Sequence, residues 1–341
     1  MKILYAVQAT GNGHISRAME LLPSLQQYGN VDIFLSGANS NLALDAPIKF
    51  RSKGLSLFYN CTGGLDYWQM VKGFHPFKLK KEINDLPVEN YDLIINDFEY
   101  ITAAACAKKH IPSINFGHQA SFQSNNTPRP TKKNIAGEWV LKNYAKASAY
   151  VGLHFSEYAD FIFKPIIKQE ILLANPIDQN YITVYLPSYC EPQLLSIFQQ
   201  FKKHRFEIFC SSITQSKLIG NILFLPIDKK LFNKSLINCT GIITGGGFET
   251  PAEALQLGKK IMSIPIKGQY EQQCNAAALK QMGVYCIDDA LTNFNQHFEK
   301  WLATAALPSF DFSNSMEQSV DYLFKLHDKL KVNDYESSVA V

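Results

Sequence analysis

No apolar run in this sequence approaches the roughly 20 residues that a membrane-spanning helix needs. Its first apolar stretch, MKILYAV, ends after seven residues. A helical membrane protein is thereby excluded, and the short start does not fit a standard secretory signal. Cysteine is sparse: seven residues stand at 61, 106, 190, 210, 239, 274 and 286, with no Cys-x-x-Cys pair. An odd, scattered set argues against a disulfide framework and against a zinc site, and fits reduced thiols in a cytoplasmic protein. Charge of one sign is also missing. The 33 Lys and Arg against 30 Asp and Glu leave +3, too little to mark a nucleic-acid partner, and no DNA- or RNA-binding motif is found. An Asp-x-Asp pair is absent as well, so no metal is expected beside a phosphate substrate.

What is present suffices for two domains: 341 residues, 46% of them hydrophobic, can fill two cores. The first half alternates strand-like and helix-like stretches, the pattern of a parallel sheet covered by helices. Strands are expected at residues 2–7, 31–35, 55–59, 92–96 and 113–116, and helices at 15–28 and 101–109. The polar stretch 119–133 (QASFQSNNTPRPTKK) reads as a loop. A second alternating series begins near residue 181, with strands at 182–186, 206–209, 222–225, 241–243 and 261–264. The expected division is therefore an α/β domain over 1–165, another over 175–310 and a closing helix at 313–331, followed by a frayed tail.

The densest information lies in residues 244–276, TGGGFETPAEALQLGKKIMSIPIKGQYEQQCNA. A β-branched run, GIIT, precedes three glycines and then a helix. Glycines permit close backbone approach, and the first N–H groups of a helix lack intrahelical partners. Together with the helix dipole they suit a phosphate. Ordinary capping explains part of the same pattern, because Thr250, Pro251 and Glu253 match a capping box with Pro at the first helical position. After the strand at 260–264, the loop carrying Gln269, Glu271, Gln272 and Asn275 faces the same crevice, since ligands of open α/β sheets bind beyond the carboxyl ends of the strands.

A second turn, Gly11, Asn12, Gly13 and His14, follows the first strand. A histidine at a helix N-terminus feels a positive potential that favours the neutral ring, the form that accepts protons. Asp97, at the end of another strand, is placed to bond the second ring nitrogen and support the imidazolium that forms. Arg17, one turn on, reads as a solvated helix face, with neutralisation of a phosphate as the alternative. His118 and Gln119 end a third strand at the same edge and are acceptor-side candidates.

By order and spacing, the 244–276 segment resembles the donor-binding signature of GT-B glycosyltransferases, the superfamily of UDP-glycosyltransferases and of the peptidoglycan N-acetylglucosaminyltransferase. The matching residues are Gly247, Thr250, Glu253, Gly258, Pro265, Glu271, Gln272, Asn275 and Ala276. The resemblance implies the GT-B fold, two Rossmann-like domains with parallel sheets facing across a cleft. It implies that Gly247 and Thr250 contact the diphosphate, that Glu253 holds ribose hydroxyls, that Glu271 with Gln272 holds the transferred sugar, and that Gly246, Phe248 and Asn275 belong to the same donor-binding set. The GNGH turn resembles the first glycine-rich loop of inverting members, which places the base at His14 and its aspartate at Asp97. Two positions depart from the pattern: many relatives have His or Arg at Gly245, and plant-type relatives have Asn at Glu249, where a carboxylate opposes the diphosphate unless it is paired.

The implied function is inverting, metal-independent transfer of a sugar from a nucleotide-sugar, with UDP as the expected nucleotide, to a hydroxyl of a saccharide, lipid or small molecule. No cofactor is called for. A UDP-N-acetylglucosamine 2-epimerase-like enzyme and a catalytically silent nucleotide-sugar binder use the same scaffold. Residues 68–81 mix Trp68, Phe74 and Phe77 with Lys72, Lys78, Lys80 and Lys81, a composition that allows peripheral contact with the inner face of a membrane as well as an ordinary solvated segment.

Overall fold

The computed structural model describes residues 1–9, 11–37, 44, 46–54, 75–288 and 293–339. Two seven-stranded sheets form its frame. The first contains β1 (Lys2–Gln8), β2 (Asn30–Ser36), β3 (Ile48–Ser52), β4 (Leu93–Asp97), β5 (Ile114–Gly117), β6 (Ala149–Leu153) and β7 (Ile162–Phe163). They lie in the order β3-β2-β1-β4-β5-β6-β7 with every pairing parallel. The buried runs of β1 and β4 are apolar almost throughout, as a sheet covered on both faces requires.

The second sheet contains β8 (Ile182–Tyr185), β9 (Phe206–Phe209), β10 (Lys217–Ile219), β11 (Ile222–Leu225), β12 (Gly241–Gly245), β13 (Lys260–Ile264) and β14 (Tyr285–Cys286). Its order is β10-β11-β9-β8-β12-β13-β14. Only the β10–β11 hairpin is antiparallel. Strand order reverses between β1 and β4 in one sheet and between β8 and β12 in the other. Crevices open beyond the carboxyl ends of strands at such reversals, and the GNGH turn, Asp97, Tyr185 and the glycine turn all stand there.

Several local expectations change. The first helix spans Asn12–Gln26, so His14 is inside its first turn. β3 lies at Ile48–Ser52, where IKFRS is too polar to signal a strand; the run expected at 55–59 lies outside the described residues. Residues 119–123 form a 3-10 turn, Gln119–Gln123, before the irregular remainder of the expected loop. The helix after the glycines begins at Glu249, with Phe248 before it and no side-chain cap. Thr250 and Pro251 are therefore helical, and the capping box does not form. Glu271, Gln272 and Asn275 are likewise on a helix, Tyr270–Gln281, rather than in a loop. Of the 68–81 segment, Trp68, Lys72 and Phe74 lie outside the described residues, whereas Phe77 is 90% exposed on the helix Pro76–Asp85. No helix among the described residues is long and apolar enough to cross a membrane.

The last helix, Ser315–Val339, continues through most of the tail expected to fray. It returns to the first sheet, where Tyr28 stacks on Phe324 at 3.6 Å and Tyr322 meets Phe163 at 5.2 Å. Aromatic packing dominates one side of the second sheet. Phe298 is fully buried and its ring contacts Phe201, Phe206, Phe294 and Trp301. Removing it leaves a large cavity among rigid rings. Phe298→Ala is expected to lower stability by about 3–5 kcal/mol, read as a fall in the urea midpoint followed by far-ultraviolet circular dichroism.

Candidate active site

A cleft of about 500 Å³ separates the two sheet systems, within the range of small-molecule sites. Its first wall is built by the ends of β1, β4 and β5. His14 Nδ1 lies 2.9 Å from Asp97 Oδ1, leaving Nε2 as the nitrogen for a substrate proton. Asp97 is 0% exposed and is followed by Phe98 at φ +56°, a left-handed conformation that is uncommon outside glycine.

Arg17 joins this pair, contrary to its reading as a solvated residue. It is 3% exposed and donates from Nη2 to Asp97 Oδ1 at 2.7 Å and Oδ2 at 2.9 Å, and from Nε to Oδ2 at 3.3 Å. Gly117 makes room for this packing: a Cβ there would stand 2.6 Å from Asp97 Oδ1 and 3.2 Å from Arg17 Nη2. The far nitrogen of Arg17, Nη1, donates across the cleft to Glu249 Oε1. The carboxylate that departs from the family pattern is therefore paired.

One guanidinium cannot neutralise two carboxylates, and the three groups divide accordingly. Burial opposes the charge on Asp97, but Arg17 and His14 outweigh it and hold its carboxyl below the usual range. At Glu249, burial together with nearby Glu253 and Asp97 outweighs Arg17 and pushes the carboxyl up to about 7. Burial also opposes charge on Arg17, yet its two carboxylates prevail and raise it above the usual value. The pair is thus firmly ionic at Asp97 and close to balance at Glu249.

The second wall is the turn after β12. Gln272 Oε1 accepts from Gly246 N at 3.1 Å and Ile266 N at 2.9 Å, while Asn275 Nδ2 donates to Gly246 O at 3.0 Å. A Cβ on Gly246 would come within 2.7 Å of Gln272 O, so glycine is required by close approach. Asn275, expected in the donor-binding set, is fully buried and braces the glycine turn. His118 lies with Nε2 2.8 Å from Asn275 Oδ1 and Nδ1 3.0 Å from Leu153 O, and its ring stacks on Phe248 at 4.0 Å. Burial lowers its pKa below the usual histidine value. His118 and Phe248 therefore join the two walls, and His118 has no ring nitrogen left for an acceptor.

Glu253, expected to hold ribose hydroxyls, lines the cleft. Its carboxylate is held by Lys168 Nζ at 2.9 Å, which also donates to Asn233 Oδ1 at 3.0 Å. Burial outweighs this lysine and keeps the Glu253 carboxyl above its usual value. Lys168 carried no signal in sequence, standing 85 residues from its partner. Gly11, Asn12, Gly13, Gly247, Thr250, Gln119, Glu271 and Gln272 line the same cleft. Gly247 has open space beside its Cα. Gln119 Nε2 donates to Glu271 Oε2 at 3.1 Å across the cleft, while Gln119 Oε1 and Gln269 Oε1 are buried without a protein partner. Asn12 Nδ2 donates to Tyr185 Oη at 3.3 Å, a further contact between walls that sequence spacing did not reveal. Among the described residues no group of His, Cys, Asp and Glu is arranged to hold a metal.

Residues 1–304 match the family model described as Glycosyl transferase family 1. The chain belongs to this family. A Methanosarcina mazei protein described as an uncharacterized glycosyltransferase is 22% identical over 322 residues, covering 83% of this chain and 85% of its own. Among solved structures, MurG of Acinetobacter baumannii aligns with a TM-score of 0.55 at 15% identity, over 95% of this chain and 99% of its own. Arabidopsis thaliana UGT89C1 complexed with UDP aligns at 0.57 and 13%, over 96% and 94%. These likenesses establish the GT-B fold, and the family makes the protein a glycosyltransferase.

In this glycosyltransferase the raised carboxyl of Glu249 has a measurable consequence. Its folded value of about 7 exceeds the ordinary 4.5, so the ionised form is the one the fold disfavours. That contribution to stability is complete below the unfolded value and is lost as pH rises through about 7. The urea midpoint is expected to lose this contribution between pH 4.5 and about 7, and Glu249→Gln is expected to flatten that part of the profile; an unchanged slope in the variant contradicts the assignment.

Proposed function

We propose that this glycosyltransferase transfers a sugar from a UDP-sugar to an acceptor hydroxyl with inversion and without a metal ion. The observation that carries the reading is the His14–Asp97 pair at 2.9 Å on the wall opposite an uncapped helix N-terminus. His14 Nε2 takes the acceptor proton as the acceptor oxygen bonds to the anomeric carbon. The bond from that carbon to the diphosphate oxygen breaks in the same displacement, and the nucleoside diphosphate carries the electron pair away. Asp97 holds the ring through Nδ1 and stabilises its charge, as in other His–Asp pairs.

The leaving group departs toward the turn Gly245–Gly247 and the first N–H groups of the helix Glu249–Gln256. No side chain caps that helix, which keeps its donors for an anion. Donors fixed before reaction stabilise developing charge without reorganisation. Thr250 adds a hydroxyl beside this position, and Glu271, with Gln119 opposite, supplies acceptors for sugar hydroxyls. The chain has no Asp-x-Asp pair to bridge a metal to the diphosphate. UDP is favoured because Arabidopsis UGT89C1, which shares this fold, is recorded with it.

His14→Ala is expected to lower kcat by about 10²–10⁴-fold while leaving the donor dissociation constant within a few-fold; unchanged turnover removes His14 as the base. Turnover is expected to survive EDTA, with the product's anomeric configuration, read by NMR, opposite to that of the donor. Loss of activity in EDTA, or retention of configuration, contradicts the mechanism, and epimer formed from UDP-sugar alone points instead to the epimerase-like reading.

A further inference from the structure

Glu249 occupies an unusual place for a carboxylate. It is in the first turn of the helix whose N-terminus faces the cleft, and it lines the cleft itself. The backbone of the opposite wall presses on it: a Cβ on Gly13 would lie 3.1 Å from Glu249 Cγ. Among the described residues its ion pair is with Arg17, and that guanidinium already makes three contacts with Asp97. The other ionisable groups facing it are His14 from the same helix as Arg17, Asp97 at the end of β4, Glu253 one turn further along its own helix, and Tyr5 from β1. Two of these, Asp97 and Glu253, are carboxylates. A diphosphate arriving at this helix N-terminus adds two more negative charges within the same buried cluster.

Two responses would relieve the repulsion. Arg17 could swing from Glu249 to the phosphate, or Glu249 could lose its charge. Arg17 is held on Nε and Nη2 by Asp97 and packed beside the Gly117 backbone, which keeps its charge on the first wall. Glu249 is tied by one bond and is already near its titration midpoint at neutral pH. We propose that Glu249 takes up one proton from solvent when the donor diphosphate docks, so that the site accepts the anion as Arg17 remains on Asp97. Protonation turns Glu249 from a repelling carboxylate into a hydroxyl donor, and it leaves the Asp97–His14 pair undisturbed. The inference rests on the reading of the β12 turn as the diphosphate site.

Calorimetric titration of the full chain with a panel of UDP-, dTDP- and GDP-sugars tests it, in buffers of matched pH but different ionisation enthalpy. Nucleotide-sugars suit the purpose because their diphosphate diester does not titrate near neutrality. The expected result is uptake of more than about half a proton per bound donor near pH 8, falling toward zero near pH 5.5, where Glu249 already holds its proton. Glu249→Gln is expected to bind the donor without proton uptake, whereas His14→Ala should retain the uptake. Binding of a nucleotide-sugar with no proton exchange near pH 8, or uptake that persists in Glu249→Gln, overturns the proposal while leaving the donor site intact. Failure of every nucleotide-sugar to bind overturns the donor-site reading and the proposal together. Should Glu249→Gln not fold, the wild-type pH dependence decides by itself: uptake that does not decline in acid contradicts the assignment.

Discussion

The arrangement of this site depends on one guanidinium placed between two carboxylates, Asp97 fully buried and Glu249 partly so. Arg17 binds Asp97 on its own wall through three hydrogen bonds and reaches Glu249 on the other. Breaking such a group of charges would strand a carboxylate away from water, which costs several kcal/mol. The two walls are therefore coupled at the point where the reacting atoms would meet. The same cation fixes Asp97, and Asp97 fixes the ring of His14. The orientation of the proposed base is thus set by a residue that itself reaches across the cleft.

Around that ionic centre neutral polar groups also tie the walls, beside an apolar cluster of Phe122 and Leu141 with Tyr270 and Cys274. Asn275 bonds both the Gly246 carbonyl and His118, and Gln272 receives two backbone N–H groups with one oxygen. These side chains belong to the donor-binding pattern, yet here they spend bonding capacity on holding the glycine turn. Buried amides with every bond made define a unique backbone path. The consequence is a turn whose N–H groups stay aimed at the cleft, which is the property an anion site needs. Glu253 follows the same logic through Lys168.

The fold was legible because its signals are local. Apolar runs such as KILYAV and LIIND mark buried parallel strands wherever they sit, and a strand-to-turn boundary fixes which end of the sheet a residue occupies. His14, Asp97, Gly247, Thr250 and Glu271 were all placed at the cleft by that reasoning. Errors arose where a residue's identity permitted two partners. Thr-x-x-Glu at 250–253 satisfies the rule for a capping box, but Lys168 offers Glu253 a stronger, charged partner from 85 residues away. Arg17 has the composition of a surface residue, and only a glycine at position 117 lets the chain close over it. IKFRS at β3 is too polar to be seen as a strand because it lies at the sheet edge, where one side remains open.

The sequence by itself determined the two-sheet α/β architecture, the family and part of the set of residues that face the cleft. These follow from periodicity and from residues adjacent along the chain, where geometry is fixed by the backbone. Tertiary structure decided the charge state and the partners: Arg17 with Asp97 and Glu249, Lys168 with Glu253, His118 with Asn275. Such choices depend on distances of a few ångströms between segments far apart in sequence, and on how much water packing removes from between them. Electrostatic energy varies strongly with both, and neither is encoded in local spacing.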